Sequence, residues 1–164
     1  MNYDYKFGNN FYNYGKEYGI KSTKYKIIAP EQSQNKQPGI EYIMNPLPIF
    51  DNPKYKGSGK LKDKVAIITG GDSGLGRTAA IYYVKEGAKV VIPYYDEHDD
   101  ANFTKKYIES LNGECLLISG DITDKNFSRE IVDKTLKKFG CTNAITTTKK
   151  CNKTNLLCIV KMAK

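Results

Sequence analysis

The run Thr69-Gly70-Gly71-Asp72-Ser73-Gly74-Leu75-Gly76-Arg77 has residue types and spacing that could hold a charged ligand. Each of three glycines does a separate job. Gly70 permits a tight turn, Gly74 lets the backbone approach a pyrophosphate, and Gly76 lets a following helix pack closely. A helix that starts here presents unpaired N–H groups and the positive end of its dipole to phosphates. The chemistry is anion recognition by backbone, with Asp72, Ser73 and Leu75 lining the turn. A strand before the turn and a helix after it is the context a dinucleotide site requires. The alternative is an α/β turn that binds nothing.

The flanking elements supply that context. Lys64–Thr69 (KVAIIT) is a short apolar run that ends at the glycines, and Lys89–Tyr94 (KVVIPY) and Cys115–Ser119 (CLLIS) are two more. Three helices alternate with them. In Gly74–Glu86, residues Leu75, Ala79, Tyr82 and Tyr83 share a face. In Ala101–Leu111 the face is Phe103, Tyr107, Ile108 and Leu111, and in Phe127–Phe139 it is Ile131, Val132, Leu136 and Phe139. Near-continuous Val/Ile/Leu runs suit parallel strands buried on both faces, and the alternation implies right-handed βαβ units. The expected fold is α/β, a partial Rossmann-type doubly wound parallel sheet with an extended N-terminal arm. Asp121 then falls just beyond the third strand, at the carboxyl end where such sheets bind ligands.

Residues 1–60 have another texture. They hold eight of the 13 tyrosines, and Pro30, Pro38, Pro46, Pro48 and Pro53 interrupt them. Residues 1–37 read as a disordered tail. Residues 38–60 read as a docking arm that packs through Ile40, Tyr42, Ile43, Leu47, Ile49 and Phe50. Residues 61–140 are the half-domain. Residues 141–164 are an atypical basic tail, in which Asn155–Met162 could form a strand.

Charge follows the same division. The net charge of +8 sits on the two ends, and residues 61–140 are close to neutral. A nucleic-acid groove would place its charge on the folded part, so no nucleic-acid partner is expected. No run of 18 apolar residues and no apolar leader occur, which leads us to expect a cytoplasmic chain with no membrane partner. Cys115, Cys141, Cys151 and Cys158 have no CxxC spacing, and His98 is the one histidine. No metal site is expected, and the thiols should be free. His98, set among Asp96, Glu97, Asp99 and Asp100, reads as a solvated loop residue.

The spacing TGxxxGxG resembles that of the short-chain dehydrogenase/reductase family. The stretches PGIEYIMNPLPIFDNPKYKGSGKLKDKVAIITGGDSGLGR and EGAKVVIPYYDEHDDANFTKKYIESLNGECLLISGDITD are similar to a bacterial stress-associated, glucose/ribitol dehydrogenase-like branch of it, over residues 38–140. The resemblance implies NAD or NADP as cofactor. It implies that Gly70, Ser73, Gly74, Leu75 and Gly76 form the phosphate loop and that Asp121 and Ile122 flank the adenine. Tyr94 stands where an acid would hold the ribose of NAD, with Tyr95 and Asp96 next, so the choice between NAD and NADP stays open.

The family's hydride transfer between nicotinamide and an alcohol or carbonyl carbon needs a Ser, a Tyr-x-x-x-Lys pair and an Asn beyond the fourth strand. Here Tyr12 and Lys16 alone have that spacing, before the glycine turn. No catalytic residue is assigned, and an alcohol or carbonyl substrate is expected only in a full-length relative. The resemblance stops at Phe139-Gly140. Cys141-Thr142-Asn143-Ala144-Ile145 keeps a faint Asn-Ala echo, and the acid-free remainder reads as a truncated or out-of-frame end. The expectation is the NAD(P)-binding part of such an enzyme, inactive alone, with an open sheet edge that favours self-association or aggregation. The alternative is a noncatalytic nucleotide-binding or interaction subunit that pairs with another chain.

Overall fold

The computed structural model describes residues 33–35, 41–44 and 47–147, without the side chains of Tyr42 and residues 145–147. The expectations for residues 1–32, Ile40, the Tyr42 side chain, Cys151, Cys158 and a strand at 155–162 lie outside the described residues. The chain divides into two compact units, Met1–Gln37 and Pro38–Lys164. Of the first, Ser33–Asn35 are described and form neither helix nor strand.

Four parallel strands, β1 (Val65–Thr69), β2 (Lys89–Tyr94), β3 (Cys115–Ser119) and β4 (Ala144–Thr147), form one sheet in the order β3-β2-β1-β4. Helices α1 (Gly74–Lys85), α2 (His98–Ser110) and α3 (Lys125–Phe139) make the crossovers. All five residues of β1 are buried, as expected of a strand covered on both faces. Val65, Ile67, Val91 and Ile118 point to one face and pack with Phe127 and Ile131 of α3. Helices α1 and α2 pack against β1, β2 and β3. The connections move outward from β1 to β2 to β3, then return to β1's other side. The chain therefore reverses direction between β1 and β4, and the carboxyl ends at that switch point are where such sheets bind ligands.

The fourth strand corrects the expectation of a sheet ending at residue 140 with β1's edge open. β4 pairs with β1 from Ala66↔Ala144 to Thr69↔Thr147. Asn143 seats it. Its Oδ1 accepts from the Val65 N–H at 2.9 Å, and its own N–H donates to the Val65 carbonyl at 2.8 Å. Among the described residues the edge strands are β3 and β4, and β1 is paired on both sides.

All three helix faces differ from the apolar periodicity. In α2 the buried residues are Ala101, Thr104 and Ile108, while Phe103, Tyr107 and Leu111 are half-buried. The buried residues of α1 are Gly76, Arg77, Ala80, Ile81 and Val84, whereas Leu75 is 84% exposed. In α3 the buried line is Phe127, Ile131 and Thr135, and Leu136 is exposed. Thr135 is accommodated because its hydroxyl donates to the Ile131 carbonyl at 2.6 Å. Helix α2 begins at His98, so the acids Asp99 and Asp100 form its first turn, where the dipole favours negative charge. His98 is exposed but is not in a loop.

The arm docks differently from expectation. Phe50 is buried, edge-on to Phe103 and Tyr107, while Ile43, Leu47 and Ile49 are exposed. Polar residues make the other anchors. Asp51 pairs with Lys85 at 2.5 Å and accepts from the Tyr107 hydroxyl at 2.7 Å. The Glu86 carboxylate accepts from the Tyr55 hydroxyl and from the N–H groups of Ser58 and Lys60 at 3.0 Å each.

Candidate functional site

The turn from β1 to α1 is built by backbone that only glycine adopts easily. Gly70 has φ +67° and Gly74 has φ +52°. At Gly76 the constraint is contact: a Cβ there would lie 1.9 Å from the Gly70 carbonyl oxygen. At Gly74 a Cβ would meet nothing within 4 Å. Thus Gly76 lets α1 close on the turn, and Gly74 faces open space.

That space is a cleft of about 410 Å3. Gly70, Asp72, Ser73, Gly74, Leu75 and Gly76 line one wall, and Pro93, Tyr94, Tyr95, Asp96 and Glu97 line the end of β2. Gly120, Ile122 and Phe127 close it beyond β3. Of the residues expected from sequence, Asp121 alone is not in the lining. Its carboxylate is turned into its own loop, accepting from the Thr123 N–H at 2.9 Å and the Thr123 hydroxyl at 2.8 Å. This Asx turn shapes the segment that presents Ile122. Sequence reasoning missed Pro93, Gly120 and Phe127 as lining residues. The carbonyl of Pro93 accepts from the Gly70 N–H at 2.9 Å, which ties β2 to the start of the turn.

The electrostatics of the cleft are mixed. Burial raises the Asp72 carboxyl above the ordinary carboxylate range, with Asp100 adding to the effect. Ser73 is the N-cap of α1, and its side chain makes no cap hydrogen bond. At the other wall the Tyr94 hydroxyl lies 2.9 Å from His98 Nδ1. The lining includes Asp72, Asp96 and Glu97 but, among the described residues, no lysine or arginine.

Behind the turn, away from the cleft, Arg77 is fully buried. Its Nε and Nη2 donate to the Asp72 carbonyl at 3.0 and 2.8 Å. The Thr104 hydroxyl donates to the same carbonyl at 2.7 Å, and Arg77 also pairs with Asp100 and Glu41. No group of three or more metal-ligating side chains is gathered among the described residues, and no described helix is long and apolar enough to cross a membrane.

A parallel sheet with a glycine turn at its switch point, and a cleft over that turn, defines a doubly wound α/β protein of Rossmann type. Comparison with known proteins gives the family. The model for "short chain dehydrogenase" matches residues 64–148. General stress protein 39 of Bacillus subtilis is 53% identical over 118 residues, 72% of this chain and 41% of that protein. The glucose and ribitol dehydrogenase of Daucus carota is 35% identical over 117 residues, 68% of this chain and 40% of that protein. The crystal structure of a short chain dehydrogenase from Mycobacterium smegmatis is similar with a TM-score of 0.53 at 29% identity, over 59% of this chain and 41% of that one. The chain belongs to the short-chain dehydrogenase family, and it spans about two fifths of the length of these relatives. The family match takes in β4, which the sequence reading placed beyond the resemblance.

Proposed function

We propose that residues 64–147 are the NAD(P)-binding part of a short-chain dehydrogenase-type oxidoreductase. The observation that carries this is the glycine turn Gly70–Gly76, which opens α1 against a cleft of about 410 Å3 at the switch point. Ser73, Gly74, Leu75 and Gly76 would hold the pyrophosphate at the α1 N-terminus. Ile122 would flank the adenine, with Asp121 holding its loop. When bound, the nicotinamide supplies the hydride chemistry of the family. The protein's part is to bind and orient it, in a cytoplasmic setting.

The lining favours NAD(H) over NADP(H). A ribose 2′-phosphate adds a charge that needs a cation, and Asp96 and Glu97 at the end of β2 would repel it. The preference should be about tenfold or more, equivalent to one charge-assisted hydrogen bond. A polypeptide of these 164 residues should bind without turnover, since its one Tyr-x-x-x-Lys pair is Tyr12 and Lys16.

Calorimetric titration with NAD(H) and NADP(H), on wild type and Gly74→Val, tests the binding. Wild type should take NAD(H) more tightly than NADP(H), and the variant should take neither. Equal binding by both proteins refutes the phosphate-loop assignment, and tighter NADP(H) binding refutes the selectivity. Turnover of an alcohol or carbonyl panel, followed at 340 nm, would refute the noncatalytic part.

A further inference from the structure

We infer that Glu41, from the N-terminal arm, is a positioning residue for the glycine turn. It opens a short 3₁₀ turn, Glu41–Ile43, 33 residues before Gly74 in sequence. It is 5% exposed, and both carboxylate oxygens are used. Oε2 accepts from the Gly74 N–H at 2.9 Å, and Oε1 pairs with Arg77 Nη1 at 2.5 Å. Arg77 in turn grips the Asp72 carbonyl. One carboxylate–guanidinium pair therefore fixes both ends of the segment Asp72–Gly74. The guanidinium is boxed in by the Phe50 and Phe103 rings, 5.4 and 5.0 Å from their centroids, so the pair is shielded from water.

The placement of charge decides whether Glu41 helps or competes. A lone carboxylate on the first amide of α1 would mimic a phosphate and repel one. Glu41 is not part of the cleft lining, and its charge is paired with Arg77, which it shares with Asp100. It takes the Gly74 N–H, while Gly74, Leu75 and Gly76 all line the cleft. The segment is thus ordered before a ligand arrives, which lowers the ordering cost of binding. Apolar periodicity could not reveal this, because the arm contributes a charged residue where Ile43 beside it stays exposed.

The affinity readout rests on the dinucleotide reading above, whereas the exchange readout does not. The test compares wild type, Glu41→Ala and Glu86→Ala. The last loosens the arm at a separate anchor, where Tyr55, Ser58 and Lys60 meet Glu86. Three quantities are read: NAD(H) affinity, amide hydrogen exchange at residues 72–76, and exchange in β1 as the internal reference. Glu41→Ala removes the hydrogen bond to Gly74 and the ion pair with Arg77, and it should weaken NAD(H) binding and speed exchange at 72–76 by about tenfold or more, with β1 unchanged. Glu86→Ala should leave both within about twofold of wild type, as expected for a distant independent site. The inference is overturned if Glu41→Ala leaves exchange at 72–76 at the wild-type rate, or if Glu86→Ala reproduces its losses. Tighter NAD(H) binding by Glu41→Ala also overturns it, since the carboxylate would then be a competitor. If wild type binds no dinucleotide, the binding proposal fails and exchange alone decides the role of Glu41. If Glu41→Ala does not fold, Glu41→Gln is read the same way: faster exchange confined to 72–76 supports the role, and wild-type rates refute it.

Discussion

Gly76→Ala is the sharpest test of how the turn is built. The new Cβ would lie 1.9 Å from the Gly70 carbonyl oxygen and 2.6 Å from its carbonyl carbon, where ordinary contact begins near 3.4 Å. The first turn of α1 must therefore move off the loop by about 1.5 Å. Both partners are backbone, so no side chain can rotate to absorb the clash. Overpacking of this kind costs about 1–3 kcal/mol. The same movement pulls Arg77 off the Asp72 carbonyl, now 2.8 and 3.0 Å away. Losing that charged hydrogen bond costs about 1.5–3 kcal/mol. Better helix propensity returns about 0.5–1 kcal/mol. The net loss is about 2–5 kcal/mol, a large part of a domain's whole stability of about 5–15 kcal/mol. Gly74→Ala meets no atom within 4 Å and carries only the strain of φ +52°, about 1–2 kcal/mol. Equilibrium urea unfolding of wild type and both variants measures the difference. Gly76→Ala should lose more stability than Gly74→Ala. The reverse order, or a loss at Gly76 below about 1 kcal/mol, would refute the close-approach argument.

The anchoring of the arm on Glu86 supplies a pH signature. The Tyr55 hydroxyl, then the Lys60 and Ser58 amides, hold the Glu86 carboxyl down to about 2. An unfolded glutamate titrates near about 4.3, so this stabilisation is complete above that pH and fades as pH falls toward 2. Glu86→Gln should flatten the acid limb of a stability–pH curve, and an unchanged slope would remove Glu86 from the account. Asn143→Ala leaves the Val65 N–H without its side-chain acceptor, which should cost about 1–3 kcal/mol. Amide exchange in Ala144–Thr147 should speed up before that in β2, and uniform change across the sheet would refute the seating role. Burial pushes the Cys115 thiol up to about 12, whereas Cys141 is exposed. Brief iodoacetamide treatment at pH 8 followed by peptide mapping should modify Cys141 before Cys115, and equal labelling of the two would contradict the burial of Cys115.

The glycine turn was legible because its logic is local: nine adjacent residues set the backbone, the helix start and the cleft wall. The first three strands were legible as apolar runs, and all three occupy the expected segments. What failed depends on distance. The face of α1 buries Arg77 and exposes Leu75, because the guanidinium finds its carboxylate 36 residues earlier. No periodicity can display that pairing. The arm was expected to dock by its apolar residues, yet Glu41 and Asp51 are buried with partners more than 30 residues away. β4 was missed because Ala144–Thr147 is short and Thr-rich, and Asn143, not an apolar run, holds its start. Asp121 sits at the strand end expected of it, but the Thr123 turn takes its carboxylate, a detail settled by loop geometry.

The place of β4 beside β1 has a consequence in time. During synthesis β1 can pair with β2 once Tyr94 has emerged, but its other edge waits for Ala144–Thr147, some fifty residues later. At ribosomal speeds that interval is about 3–10 s. Throughout it, the Ala66–Thr69 edge is a ready template for any extended chain nearby. A slow stretch of translation after β3 would lengthen the exposure, and a fast one would shorten it. The yield of folded protein should therefore respond to codon choice between residues 120 and 143 more than to codon choice within the strands themselves.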